Sequence, residues 1–187
     1  MASYGALMIS IAYLSSKATL PGSPTRRSDA FEHDRMMDAL RDPFAERGLD
    51  VQDVDWADES IDWATFGAAI IGTTWDYWDH AEMFLRTLET IESQTKLFNS
   101  AALVKWNSDK RYLRSFEQSD VRLIPTLWID RVDQRAFAEA FQTLGSEDLV
   151  CKRQVGAGAD GQYRLTPADA LPDLPHPMMV QPFLSTI

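Results

Sequence analysis

Paired cysteines, a long apolar run and an excess of basic charge are all missing from this chain, and each absence removes a class of function. A single cysteine, Cys151, among 187 residues allows no internal disulfide and fits a reducing compartment. Its place in a Leu149-Val150-Cys151 run reads as a buried strand position rather than a nucleophile. The apolar run 6–14 is too short to span a bilayer and follows no basic leader. Eighteen basic against 28 acidic residues leave a formal charge of −10, a surface whose average repels a nucleic-acid backbone. A local basic cleft for a small phosphorylated ligand stays compatible with that average. The three histidines, His33, His80 and His176, show no metal-ligand spacing, which places them at the surface. The expectation is a cytoplasmic protein with neither nucleic-acid nor membrane partners.

What is present is an ordinary globular composition, 45% apolar and 25% charged, in a chain long enough for one large domain or two small ones. Residues 6–13 read as a first strand, followed by a loop with Pro21, Gly22 and Pro24. Residues 28–47 carry Phe31, Met36, Met37, Leu40 and Phe44 at helical spacing up to Gly48, with Pro43 expected to bend or split the helix. Residues 50–54 and 66–71 read as strands. Asp79 and Glu82 have capping-box spacing ahead of Phe84, Leu88 and Ile91. Strand and helix thus alternate over the first hundred residues, the pattern of a parallel α/β layer. Ligands collect at the carboxyl ends of such strands, which makes 15–17 and 73–77 candidate site loops; solvent-facing connections read the same way.

Beyond Ala102 the pattern changes. Residues 107–110 can cap a helix with Tyr112, Leu113 and Phe116. Residues 122–129 form an expected strand, placed at an edge by Pro125. Asp133 caps a helix with Phe137, Phe141 and Leu144 that ends at Gly145. Residues 148–153 and 178–184 are further strands.

Between the last two lies Gly156-Ala157-Gly158-Ala159-Asp160-Gly161, which spells G-x-G-x-x-G. A dinucleotide fingerprint needs a helix after the glycines and an acidic residue about 20 positions on. Here Thr166-Pro167 and further prolines follow closely, and position 181 is Gln181. A P-loop fails as well, because Gln162 and Tyr163 occupy the positions of its lysine and hydroxyl. What is left is Lys152, at a strand end, ahead of a glycine loop able to fold backbone N–H groups over phosphates. A hairpin tip with a solvated lysine is the plainer alternative.

Further segments come in a fixed order: Thr74-Trp75-Asp76-Tyr77, residues 102–113 with Asn107-Ser108-Asp109-Lys110, residues 121–126, Lys152 with its loop, and Gln181-Pro182-Phe183-Leu184. Together they resemble the ATP-grasp superfamily, specifically the bacterial proteins similar to glutathione synthetase, over almost the whole chain. The resemblance implies an α/β fold: a parallel pre-ATP-grasp domain (1–101), the small α+β lobe (102–177) and the first strand of a mostly absent large lobe (178–187). It implies an ADP-forming carboxylate–amine ligase that works through an acyl phosphate, with ATP and a small acid and amine as ligands.

By that resemblance Lys110 and Lys152 contact the nucleotide, and Gly156, Gly158 and Gly161 form a flap that packs poorly without it. Gln181, Pro182 and Leu184 read adenine. Thr74, Asp76 and Tyr77 are weaker candidates for the substrate. Arg153 departs from the proline often found after the second lysine. Magnesium is expected only in a longer parent, since the family's metal carboxylates lie past the adenine-reading segment. Simpler roles stand beside these: Asn107 and Ser108 as helix caps, Lys110 as a solvated first-turn residue, and Trp106, Trp75, Tyr77 and Trp78 as core or interface filler. The alternative class is a non-catalytic module that binds nucleotide weakly or acts as a homo-oligomer.

Overall fold

The structure is a computed structural model that describes residues 8–157 and 161–185. The chain separates into two units, Met1–Val104 and Lys105–Ile187.

In the first unit, apolar strands pair in parallel. β1 (Ile9–Ser15) lies between β2 (Leu49–Asp55) and β3 (Ala68–Ile71), and β4 (Lys96–Phe98) flanks β3, giving the order β2-β1-β3-β4. A strand buried on both faces needs no polar alternation, and Ile11 through Ser15 of β1 are all buried. Successive side chains leave on opposite faces. Ala12 and Leu14 accordingly join Phe84, Leu88 and Ile91 of α2 (Ala81–Gln94) in one core. Tyr13 packs on the other side with Met37, Leu40 and Phe44 of α1 (Phe31–Ala45). The sheet is therefore doubly wound, with helices on both faces.

Two local expectations give way to context. Pro43 lies within α1 close to its end and does not split it. The lost N–H bond falls near the natural terminus, where Gly48 at φ 71° turns the chain into β2. No capping box forms at α2, which lacks a side-chain cap hydrogen bond. The chain enters it through a 3-10 turn, Tyr77–His80, in which Asp76 and Thr74 carbonyls take the N–H groups of Asp79 and Tyr77.

The second unit carries an antiparallel sheet. Its strands are β5 (Leu127–Ile129), β6 (Leu149–Arg153), β7 (Tyr163–Leu165) and β8 (Met178–Pro182), in the order β5-β8-β6-β7. Pro125 stops the expected 122–129 strand, so that only Leu127–Ile129 pairs, at the sheet edge. β8 is an inner strand, hydrogen-bonded to β5 on one side and β6 on the other. Its apolar Met178 and Val180 are what a fully paired position requires.

Asp133 accepts from Ala136 N at 2.8 Å and caps α4 (Gln134–Leu144). Gly145, at φ 60°, ends the helix. Phe137 and Ala140 of α4 cover Leu149, Cys151, Met178 and Val180 on one face of the sheet.

A short helix not foreseen from the pattern, α3 (Ala101–Asn107), precedes a 3-10 segment, Lys110–Phe116, where an α-helix was expected. Asn107 thus ends a helix rather than capping one, and Asp109 makes the cap by accepting from Arg111 N. Trp106 is not core: it is 47% exposed and leans on Tyr112 at 4.9 Å between ring centroids.

Leu88 is fully buried. Leu88→Ala should therefore cost about 2–5 kcal/mol, whereas Asp133→Ala should cost about 1 kcal/mol; urea unfolding of each variant checks both. Burial pushes the Cys151 thiol up to about 11. At pH 8 a thiol-reactive disulfide should label it only as fast as the protein unfolds. Labelling at the rate of a free thiol would place Cys151 outside the core.

Candidate functional site

Chemistry-bearing side chains gather in two places, one in each unit. In the first unit they lie where the chain order reverses between β1 and β3, the switch point at which doubly wound sheets bind ligands. The loops after these strands are joined by Ser16 N–H donating to Thr73 O at 2.9 Å. Ser16 Oγ donates to Asp76 Oδ1 at 2.5 Å, Trp56 Nε1 donates to the same oxygen at 2.7 Å, and Asp76 N donates back to Ser16 Oγ at 3.1 Å. These bonds leave Oδ2 of Asp76 with no hydrogen-bond partner among the described residues. Asp55, at the end of β2, has its carboxyl pushed above the ordinary range by burial, with the charge of Asp76 adding to the rise and the Ala57 N–H and Lys17 acting in the opposite sense. Asp76, Asp55 and Lys17 thus form a charged group at the strand ends.

Below this group sits a buried polar chain. Ser15 Oγ donates to Tyr13 O, and Thr73 Oγ1 donates to Ser15 Oγ at 3.2 Å. His33 Nδ1 lies 2.7 Å from Thr73 Oγ1. His33 Nε2 is 3.2 Å from Asp53 Oδ2. His33, expected at the surface, is 0% exposed: it sits on the core side of α1 with partners from β2 and the loop after β3. His80 and His176 are exposed.

Of the weaker candidates, Asp76 is the one that this geometry equips for a ligand. Thr74 is buried and its carbonyl takes the N–H of Tyr77. Tyr77 packs 5.3 Å from Phe84 between ring centroids, and burial raises its phenol. Trp56 and His33 were missed, since nothing local marks either one: a tryptophan in a turn and a histidine on a helix find their partners only in the folded chain.

In the second unit the residues foreseen for nucleotide come together. Asp109 and Val155 form an isolated bridge, and Lys110 N donates to Gln154 O at 2.9 Å. Lys110 Nζ donates to Gly156 O at 2.7 Å. Its ammonium is held below the ordinary lysine range by burial first and by Lys152 second, with Asp109 opposing. Two cations 42 positions apart in sequence are thus neighbours at the root of the glycine loop. Lys152 lies on the sheet face opposite α4, because alternation sends Leu149 and Cys151 to the α4 side and Val150 and Lys152 to the other.

The glycine loop leads into β7 and not into a helix, which removes the dinucleotide fold that the letters suggest. Gly161 has φ 64°, in the left-handed region; the turn requires glycine. Gly158 lies outside the described residues, so the expected looseness of 156–162 is described only at its two ends.

Gln181, Pro182 and Leu184 follow from the register of β8. Phe183 N–H donates to Asp148 O at 2.8 Å, so alternation turns the backbone groups of Pro182 and Leu184 to the β5 side. Pairing with β5 begins at Leu127↔Val180. The next position facing Pro182 on that side is Pro125, which has no N–H to give. The carbonyl of Pro182 and the N–H of Leu184 therefore share an edge with no β5 ladder partner. Beside them is a cavity of about 370 Å³, lined by Leu113, Leu123, Ile124, Pro125, Trp128 and Gln181 among others. Trp128 Nε1 is buried there without a hydrogen-bond partner.

Among the described residues no three His, Cys, Asp or Glu side chains converge on one point. No helix is long and apolar enough to cross a membrane.

Comparisons with known proteins agree with this architecture. Residues 11–99 match the family described as D-cycloserine synthetase DcsG, N-terminal domain. The cycloserine biosynthesis protein DcsG of Streptomyces lavendulae is 33% identical over 79 residues, covering 42% of this chain and 26% of that protein. The crystal structure of D-cycloserine synthetase DcsG superposes with a TM-score of 0.75 at 21% identity, over 94% of this chain and 59% of that one. The RimK domain protein ATP-grasp from Sphaerobacter thermophilus gives a TM-score of 0.61 at 16% identity, over 94% and 64%. The chain spans about a quarter of the curated relative and about three fifths of these solved chains. A parallel α/β unit followed by an antiparallel lobe, matched at this level, means that the chain carries the N-terminal portion of the ATP-grasp fold.

Proposed function

We propose that this chain is the nucleotide-holding N-terminal part of an ADP-forming carboxylate–amine ligase acting on small molecules in the cytoplasm. The observation that carries this reading is the pair Lys110 and Lys152, set side by side at the root of the glycine loop. Two neighbouring ammonium groups disfavour each other until an anion lies between them, and a polyphosphate supplies that charge.

The chemistry is a sequence of two displacements. A substrate carboxylate oxygen attacks the γ-phosphorus, the bond to the β–γ bridging oxygen breaks, and ADP leaves. An amine then attacks the acyl carbon, phosphate departs with the C–O bonding pair, and the amine loses a proton as the amide forms. Charge on the transferring group is spread over its oxygens, so positioned cations and N–H donors do most of the work. Lys110 and Lys152 serve the phosphate oxygens, and Gly156, Gly158 and Gly161 let backbone N–H groups approach. Pro182 O and Leu184 N–H face the adenine edge. In the first unit, Asp76, fixed by Ser16 and Trp56, holds a polar substrate group. The names of two relatives describe cycloserine biosynthesis and a D-cycloserine synthetase; for this chain the proposal is the reaction class.

Titration of the 187-residue chain with ATP, followed by calorimetry or NMR, should show saturable binding. Lys152→Met should weaken it on the order of tenfold or more, the loss of one charge-assisted contact. Affinity should hold through neutral pH and fall on the alkaline side below about 10.4, the ordinary lysine value. The sign follows from Lys110: its lowered pKa means that the ammonium is lost earlier than in a solvated lysine, and the neutral amine no longer attracts phosphate. In the parent polypeptide, ADP should be released with some pair from a panel of acids and amines. Binding that ignores Lys152, or a parent that never forms ADP, overturns the proposal.

A further inference from the structure

The side-chain amide of Gln181 is held in one orientation by a neighbour with no obvious role of its own. Thr126 Oγ1 donates to Ile124 O at 2.8 Å, and a carbonyl can only accept. The threonine hydrogen is thereby spent, so toward Gln181 the hydroxyl can only accept. Gln181 Nε2 meets it at 2.8 Å. The usual ambiguity between the two ends of an amide is resolved by this chain of donors: N–H of Gln181 to O–H of Thr126 to O=C of Ile124. Gln181 is 7% exposed, and its Oε1 makes no hydrogen bond with any described residue. The amide is thus turned so that its acceptor is the end left over.

We propose that Thr126 is a positioning residue for nucleotide specificity: by fixing Gln181 it presents a second acceptor beside the Pro182 carbonyl. The inference rests on the nucleotide reading above. Together the edge then offers two acceptors, Gln181 Oε1 and Pro182 O, and one donor, Leu184 N–H. An exocyclic amine next to an unprotonated ring nitrogen complements this set. A purine with a carbonyl at that position and a protonated ring nitrogen opposes it at every point. Without Thr126 the amide is free to rotate by half a turn and offer N–H instead, which removes part of that opposition. Discrimination would fall through the loss of a constraint, with no contact between Thr126 and the base.

The test uses the 187-residue chain and compares affinity for ATP with affinity for inosine triphosphate, which carries the 6-oxo group. Thr126→Val keeps the shape and deletes the hydroxyl. It should reduce the ATP preference on the order of tenfold, mainly by improving the inosine nucleotide, while Thr126→Ser restores the preference. In a Gln181→Glu background, where either carboxylate oxygen accepts, Thr126→Val should leave the ratio unchanged. A nucleotide-free readout accompanies this: the Gln181 side-chain NH₂ resonances should shift in Thr126→Val and return in Thr126→Ser. Wild-type preference for ATP that survives Thr126→Val overturns this inference and leaves the nucleotide reading intact. No binding of either nucleotide by the wild type overturns both.

Discussion

The tie between the Asp109–Lys110 segment and the root of the glycine loop is the constraint on which the second unit's chemistry depends. It consists of a backbone bridge, a backbone N–H to a carbonyl, and a side-chain ammonium to a carbonyl. Lys152 is fixed by its strand, whereas Lys110 sits in a 3-10 segment outside the sheet. The tie holds the second cation next to the first. It also explains why Lys110 is held below the ordinary lysine range, since the same contacts that position its ammonium partly bury it. A cation placed in this way is partly buried, with a carbonyl as its hydrogen-bond partner and a second cation nearby, so it gains more from an anion than a solvated lysine would.

Much of this was legible in the sequence because it depends on local order. Strand-then-helix alternation shows in periodicity, and the Asp133 cap and Gly145 stop appear as letters at the right spacing. The failure of the dinucleotide and P-loop readings was legible as well, because each requires specific neighbours that Gln162, Tyr163 and Thr166-Pro167 displace. The glycine letters alone misled; the context around them did not. The two lysines were named through a resemblance, and their adjacency could not have been read from spacing, since it comes from a bridge between segments 46 positions apart.

The misses share one physical origin. His33 was assigned by what its residue type usually does and Trp56 went unremarked, yet tertiary partners decided the outcome. His33 is buried because Thr73 and Asp53 satisfy both ring nitrogens, and those partners come from loops and strands that only the parallel sheet brings to α1. Trp56 became a site residue because its N–H reaches Asp76. Trp106, 47% exposed next to the end of its helix at Asn107, is not core. Pro125 repeats the lesson for strands: an apolar run marks a strand, but its neighbours set its length in the sheet.

The charge balance bears on how an anionic ligand could be held at all. At −10 overall, the average field opposes the approach of a polyphosphate and cannot steer it. That field is screened over roughly 8–10 Å at physiological salt, whereas contacts at Lys110 and Lys152 act within hydrogen-bond distance. On the proposed reading attraction is local and directional, supplied by two ammonium groups and by backbone N–H donors that glycines allow to come close. An arrangement of this kind resists added salt better than one built on surface potential, because its interactions are partly withdrawn from solvent. It also makes geometry the currency of recognition: a lysine shifted out of its tie, or an amide turned the wrong way beside Pro182, loses its contact without any change in net charge.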